Sequence, residues 1–255
     1  MTTPVIDQIH RHVSVRRFSP EPVSVELVET IVAAAQRSAT SSNLQMYSVV
    51  AVTDAARRAR LAELCGQQAQ IAQAPVFLAW CADRSRLDRV CRDRGYTQSV
   101  EHVEPFLVAA VDVAILMQTA TLAAESLGLG GCYIGAIRND PAEVIELLQL
   151  PRLTFPIAGM TLGRPEARPE QKPRLATSTI LHWETYDDRG EEEALAEYDR
   201  VMAATGIYQG RRVPVPGGAG ETEDYGWMEH SARRVSQPQR TGLRQVLRQQ
   251  GFDLA

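Results

Sequence analysis

At 255 residues, 44% hydrophobic and 23% charged, the chain has the composition of a globular protein with enough apolar material for a packed core. Its 27 Lys and Arg stand against 31 Asp and Glu, a formal net charge of -4, so there is no overall positive field to hold a polyanion and nucleic acid is not expected as a partner. The four cysteines, Cys65, Cys81, Cys91 and Cys132, include no C-x-x-C pair and no histidine at ligand spacing, which argues against a metal site and against a disulfide framework.

In chain order, MTTPVIDQIHRHV lacks an apolar signal core, and Pro4 to His10 reads as a short helix. Ser24 caps a stronger helix in which Leu27, Ile31, Val32 and Ala35 recur at helical spacing, ending in the polar run Ala39-Thr-Ser-Ser-Asn43. The β-branched stretch Tyr47 to Thr53 predicts a strand, Ala55 to Gln68 a helix, and Val76 to Cys81 a second, buried strand opened by Ala74-Pro75. Pro105 suits the first turn of a long helix running to about Leu127, apolar on most faces and so destined for a core or a subunit interface; Gly128 stops it. Its apolar run, Phe106 to Met117, is broken by Asp112, and the chain is read as cytoplasmic, with no membrane partner. Strands at Gly131 to Ile137 and Phe155 to Leu162 bracket a helix beginning near Pro141, and Gly190 to Ala204 is helical. Residues 206–224 shift to Gly, Pro and Arg, the composition of a mobile loop, before closing helices near Trp227 to Val235 and Arg240 to Gln250.

Three stretches carry candidate chemistry. In HVSVRRF, an extended backbone would put His12, Ser14 and Arg16 on one face and Val13 and Val15 on the other, a cradle for phosphate or another electron-rich acceptor; solvated arginines at a helix end explain the same residues. In RPEARPEQKPRL, Pro173 keeps Lys172 out of helical geometry, so Lys172 and Arg174 form a pair of cations on a stiffened segment, suited to a dianion; a charged surface loop is the plain alternative. ESLGLGGCYIG resembles a dinucleotide fingerprint but follows a helix, with Tyr133 where the third glycine belongs, so a Rossmann site is rejected. Its glycines at 130, 131 and 135 would admit close approach of backbone to a flat ligand, while a tight helix-to-strand turn accounts for Gly128 and Gly130.

Taken together, HVSVRRF, ATSSNLQMYSVVAVTD, GQQAQIAQAPVFLAWCAD, AAESLGLGGCYIGAIRNDP, LTFPIAGMTLGRPEARPEQKPRL and the Tyr-Asp pair at 198 closely resemble, in order, the NADPH-dependent, oxygen-insensitive nitroreductase and flavin reductase family of the large bacterial type, over about residues 5–200. The resemblance implies an α+β fold, a central mixed sheet wrapped by helices in an intertwined homodimer, with FMN at the subunit interface. Residues 1–205 would form the FMN-binding core, and 206–255 a flexible loop and helices completing the same domain and the coenzyme site. His12 and Ser14 match the family's phosphate contacts, and Lys172 and Arg174 its second phosphate pair. Arg16 matches the arginine at the pyrimidine edge of the flavin; Thr40, Ser41 and Ser42 match the polar loop beside the ring, and Gln68 a glutamine near it. Tyr133, Ile134 and Gly135 match the backbone beside N5. Arg211 and Arg212 lie where the family grips the 2′-phosphate of NADPH, although this region differs in length and sequence, and a solvated loop explains them equally well.

The implied reaction is a ping-pong, two-electron transfer from NADPH through FMN to a nitroaromatic, a quinone or free flavin, with no catalytic side chain because the cofactor carries the chemistry. Water supplies the remaining proton, and His10, His102, His182 and His230 receive no role. Val13 stands where an arginine is usual, Asn43 replaces a more apolar neighbour of the ring, and Ala136 replaces a glycine. A flavin-dependent dehalogenase, a biosynthetic oxidase, or a flavin-binding sensor or storage protein without turnover are the alternatives.

Overall fold

A computed structural model describes residues 2–215, 217, 220–222 and 225–254. Pro4 at the first turn and the Thr3 hydroxyl, which accepts from the Ile6 amide, start α1 (Pro4–His10). Ser24 caps α2 (Val25–Ala35) as expected, and β1 (Tyr47–Val52) follows. Asp54 caps α3 (Ala55–Leu64), which ends sooner than the sequence suggested: Gly66 and Gln67 take positive φ (80° and 60°), and a separate short α4 (Ala69–Gln73) begins after Gln68. β2 (Val76–Asp83) leads into α5 (Ser85–Asp93), a helix the sequence reading did not anticipate, and then into α6 (Val103–Ser126). β3 (Gly130–Ile134) is shorter than expected because the chain turns into a 3-10 helix at Gly135–Arg138. α7 (Pro141–Leu147), capped by Asp140, and β4 (Thr154–Gly163) complete this run. Beyond them lie α8 (Thr177–Ile180), α9 (Glu191–Ala204), α10 (Trp227–Ser236) and α11 (Leu243–Gln249).

The strands form one sheet in the order β1-β2-β4-β3, and every strand pairing among the described residues is antiparallel, where the resemblance implied a mixed sheet. Every residue of β2 is buried, and side-chain alternation splits it between two cores. Val76, Leu78 and Trp80 face α2 and α6, together with Ala158, Met160 and Leu162 of β4. Phe77, Ala79 and Cys81 face α3 and α7 with Leu61, Ile71, Ile137 and Val144. Gly159 is required by this packing, since a Cβ there would sit 2.2 Å from Phe77 Cζ. α6 is long and apolar enough to cross a membrane by length and composition, but Val113, Leu116, Ala120 and Ala124 belong to the first of these cores.

The chain divides into two compact units: residues up to Pro169 together with those from Arg240 onward, and Glu170–Gln239. α11 thus belongs with the sheet, where Leu247 and Phe252 pack on Phe155, and Phe106 lies 5.3 Å from Phe252. In the second unit, Tyr198 meets Trp227 edge-on at 5.0 Å, and Asp199 accepts from the Met228 amide at 2.7 Å, joining α9 to α10.

Burial has a chemical consequence for the core cysteines. Cys65 and Cys81 are 1% and 0% exposed, and burial pushes both thiols up to about 12. A disulfide-exchange reagent at pH 8 is therefore expected to leave both unmodified in the native protein and to label them after unfolding. Because their folded pKa exceeds the unfolded one, their contribution to stability is complete below about pH 9 and is lost as pH rises towards 12. The thermal midpoint should fall by a few degrees across that window, and a flat profile would contradict the assigned burial.

Candidate active site

The opening segment leaves α1 at Arg11 and runs extended, pinned where the Val15 amide donates to the Gly131 carbonyl at 2.9 Å. Val15 is 3% exposed and Arg16 exposed, whereas His12, Val13 and Ser14 are all half-buried, so burial differs only between Val15 and Arg16. His12 is not free: its Nδ1 lies 2.6 Å from Glu125 Oε1 on α6. Arg16 Nη1 reaches the Ser14 carbonyl only at 3.5 Å, leaving the guanidinium available. The glycines of the third stretch divide. Gly130 and Gly131 answer to the chain's own packing, since a Cβ would meet Val15 Cγ2 at 2.5 Å and the Thr161 carbonyl oxygen at 2.4 Å. Gly135 does not, because a Cβ there would meet only Arg138 Nη2 at 3.6 Å.

Two further segments are fixed from α6. The Ser41 amide donates to Asp112 Oδ1 at 3.0 Å, and Asp112 is 2% exposed with Oδ2 unpartnered among the described residues. Thr40 Oγ1 is also buried without a partner among the described residues, an orphaned polar atom of the kind a ligand satisfies. Ser42, Asn43 and Gln45 all have φ between 50° and 56°, a concentration of left-handed non-glycine residues typical of functional loops. Tyr133 is held by its hydroxyl, which donates to the Met117 carbonyl at 2.9 Å and hydrogen-bonds with the Thr121 hydroxyl, and burial pushes its pKa up. Ile134 is 1% exposed and anchors β3 in the core.

The helix therefore acts as a spine: Asp112 fixes the Ser41 loop, Met117 and Thr121 fix Tyr133, and Glu125 fixes His12, over about 20 Å of helix. Sequence reasoning named the three segments but not their anchors. Asp112 was visible there only as an interruption of an apolar run, and an acid buried on an apolar helix is the signal that could have found it. Gln68 immediately precedes α4 without capping it through its side chain; its Nε2 donates to the Cys65 carbonyl at 3.0 Å and its Oε1 accepts from Gln70 at 2.7 Å, so its amide is fixed locally.

Lys172, Arg174, Arg211 and Arg212 belong to the second unit. Lys172 and Arg174 are exposed; Arg174 Nη1 donates to the Lys172 and Pro173 carbonyls, both at 3.1 Å, and the Tyr198 hydroxyl holds the Pro173 carbonyl at 3.2 Å. The arginine stretch is more organised than its composition suggested. Thr222 and Val213, and Val215 and Gly220, close a short hairpin by backbone hydrogen bonds, while Pro216, Gly218, Ala219, Glu223 and Asp224 lie outside the described residues. Arg211 sits 5.4 Å from the Tyr208 ring centre and 5.8 Å from that of Tyr225, with Nη1 3.4 Å from His230 Nδ1. Arg212 is exposed and, with Arg211 and Thr222, lines a cavity of about 540 Å³.

Comparison with known proteins then supplies a family. A model described as the nitroreductase family matches residues 9–164, and one described as the nitroreductase family, C-terminal domain, matches residues 172–255. The chain is 37% identical to a Bacillus subtilis protein named FMN reductase (NAD(P)H), covering 97% of each. It is also 37% identical to the oxygen-insensitive NADPH nitroreductase of Salmonella typhimurium, covering 98% of each. Among solved structures, B. megaterium NfrA2 superimposes with a TM-score of 0.91 at 35% identity over 100% of both chains. The NADPH:FMN oxidoreductase of Vibrio harveyi complexed with NAD+ gives 0.86 at 33% identity, over 98% of this chain and 99% of that one.

Proposed function

This chain belongs to the nitroreductase family, and on that premise we propose that it is an FMN-dependent oxidoreductase that draws electrons from NADPH and passes them to a small acceptor such as a nitroaromatic, a quinone or free flavin. The observation that carries the reading is the layout along α6, where the His12, Tyr133 and Ser41 segments are tied to one helix over a length suited to an elongated ligand with a charged end and a flat end. The orphaned Thr40 hydroxyl and Gly135, a glycine the core does not require, fit such a ligand. FMN, when bound, supplies the hydride relay at N5.

The protein's residues bind and orient. His12 and Ser14 would contact the phosphate, and Lys172 and Arg174 would be a phosphate-binding pair. Glu125 holds the imidazole of His12 in place. Thr40, Ser41, Ser42 and Gln68 would provide polar contacts to the ring, and the backbone of Tyr133, Ile134 and Gly135 would hold its reactive edge. Arg16 offers a guanidinium to the negative charge that accompanies reduction. Arg211 and Arg212 serve the 2′-phosphate of NADPH. On α6, Val103, Leu107, Val111 and Ile115 form an apolar stripe at four-residue spacing, exposed by 53%, 52%, 48% and 41%. A second copy of the chain covers it in a homodimer, which sedimentation at micromolar concentration would detect. The protein works in the cytoplasm.

The test is direct: the purified protein is yellow, and NADPH under anaerobic conditions bleaches it rapidly, with colour restored by a nitroaromatic or quinone. A yellow protein that no nicotinamide bleaches would instead support the sensor or storage reading. Arg16→Ala is expected to retain flavin but to lower its two-electron potential by some tens of millivolts, about 30 mV for each 1.4 kcal/mol of lost charge stabilisation. Redox titration against a reference dye measures this, and an unchanged potential would remove Arg16 from the ring edge.

A further inference from the structure

We propose that the cavity of about 470 Å³ between α1 and the start of β3 is a second binding site, separate from the flavin contacts, for a small amphiphilic anion: a carboxylate or sulfonate on an apolar body. Its volume falls within the range of about 300–1,000 Å³ usual for small-molecule pockets. Val13, Val15 and Leu129 give it an apolar lining. These two valines are the odd-numbered side chains of the opening segment, whereas the residues assigned to the flavin phosphate, His12 and Ser14, alternate with them and do not line the cavity. Valine at 13, where the family resemblance implies an arginine, is what makes this wall apolar.

The charges around the cavity select the head group. Arg11 and Arg168 both line it, and Arg168 Nη2 donates to the Arg11 backbone carbonyl at 2.6 Å, which ties the segment after β4 to the end of α1 and fixes the Arg168 guanidinium there. Neighbouring arginines are paired, Arg17 with Glu166 and Arg164 with Glu21, both at 2.9 Å. Arg11 and Arg168 enter no ion pair among the described residues. Glu125, the carboxylate in the lining, is engaged by His12 at 2.6 Å, so its repulsion of an incoming anion is reduced. Two unpaired guanidinium groups beside an apolar wall match a carboxylate or sulfonate with a short hydrocarbon attached, since the planar fork recognises such oxyanions and the valines take the tail.

Calorimetric titration of the purified protein with monomeric decanoate tests the site, with decyltrimethylammonium as a control of similar chain length and opposite charge. Saturable binding of decanoate alone is expected. The Arg11→Ala/Arg168→Ala variant should lose affinity at least tenfold, and Val13→Asp, which places a carboxylate on the apolar wall, should abolish binding. Unfolding midpoints verify that both variants remain folded, and flavin content is followed in parallel. Absence of saturable binding at millimolar decanoate, equal binding of the cationic control, or wild-type affinity in both variants would each overturn the assignment.

Discussion

Arg174→Ala yields a folded protein that is isolated largely without flavin. The side chain is exposed, and its hydrogen bonds run only to the carbonyls of Lys172 and Pro173, so no core depends on it. The loop keeps a further anchor in the bond from the Tyr198 hydroxyl to Pro173. What the substitution removes is a charge-assisted contact to a dianion, worth about 1.5–3 kcal/mol, or roughly 10- to 150-fold in FMN affinity. Arg174→Lys keeps the charge but loses the fork and should fall between. Reconstitution with FMN, followed by flavin fluorescence quenching, gives the dissociation constants, while the unfolding midpoint of the apoprotein should match that of wild-type apoprotein. Wild-type FMN affinity in Arg174→Ala would mean that Lys172 and Arg174 do not hold the phosphate.

Local chemistry was readable from the sequence wherever a feature is decided by a few neighbouring residues. Ser24 caps the helix that follows it, and Gly128, at φ 76°, stops α6. The failures have equally local causes. α5, SRLDRVCRD, does carry Leu87, Val90 and Cys91 at i, i+3 and i+4, a helical signal passed over because five of its nine residues are charged. The run from Ala55 to Gln68 looked continuous because helix formers follow Gly66, yet the left-handed glycine ends the helix and the chain restarts as α4. The sheet order β1-β2-β4-β3 rests on pairings between distant segments, which no local pattern encodes. The same limit applies to the site. Motif resemblance singled out His12, Ser41 and Tyr133 as candidates, but their attachment to Glu125, Asp112 and Met117 of a single helix required the fold.

Replacing Arg211 and Arg212 together with alanine is expected to raise KM for NADPH about tenfold or more while NADH turnover stays nearly unchanged. Only NADPH carries the additional dianion that the arginines would pair with, so the loss falls on one coenzyme. The two residues should not contribute equally. Arg211 is held against Tyr208 and Tyr225 and by His230, so its guanidinium is partly engaged by its own unit, while Arg212 is exposed beside the same cavity. Arg212→Ala should therefore account for most of the loss through contact alone. Arg211→Ala acts partly through the aromatic cluster, and its effect should be reproduced in part by Tyr208→Leu, which leaves both arginines in place but removes one ring. Salt separates direct pairing from loop shape, because raising ionic strength screens an exposed arginine–phosphate contact and should raise the wild-type KM for NADPH while barely moving that for NADH. If both coenzymes respond alike to the double substitution and to salt, the arginines shape the hairpin without meeting the 2′-phosphate, and discrimination between the coenzymes resides elsewhere in the chain.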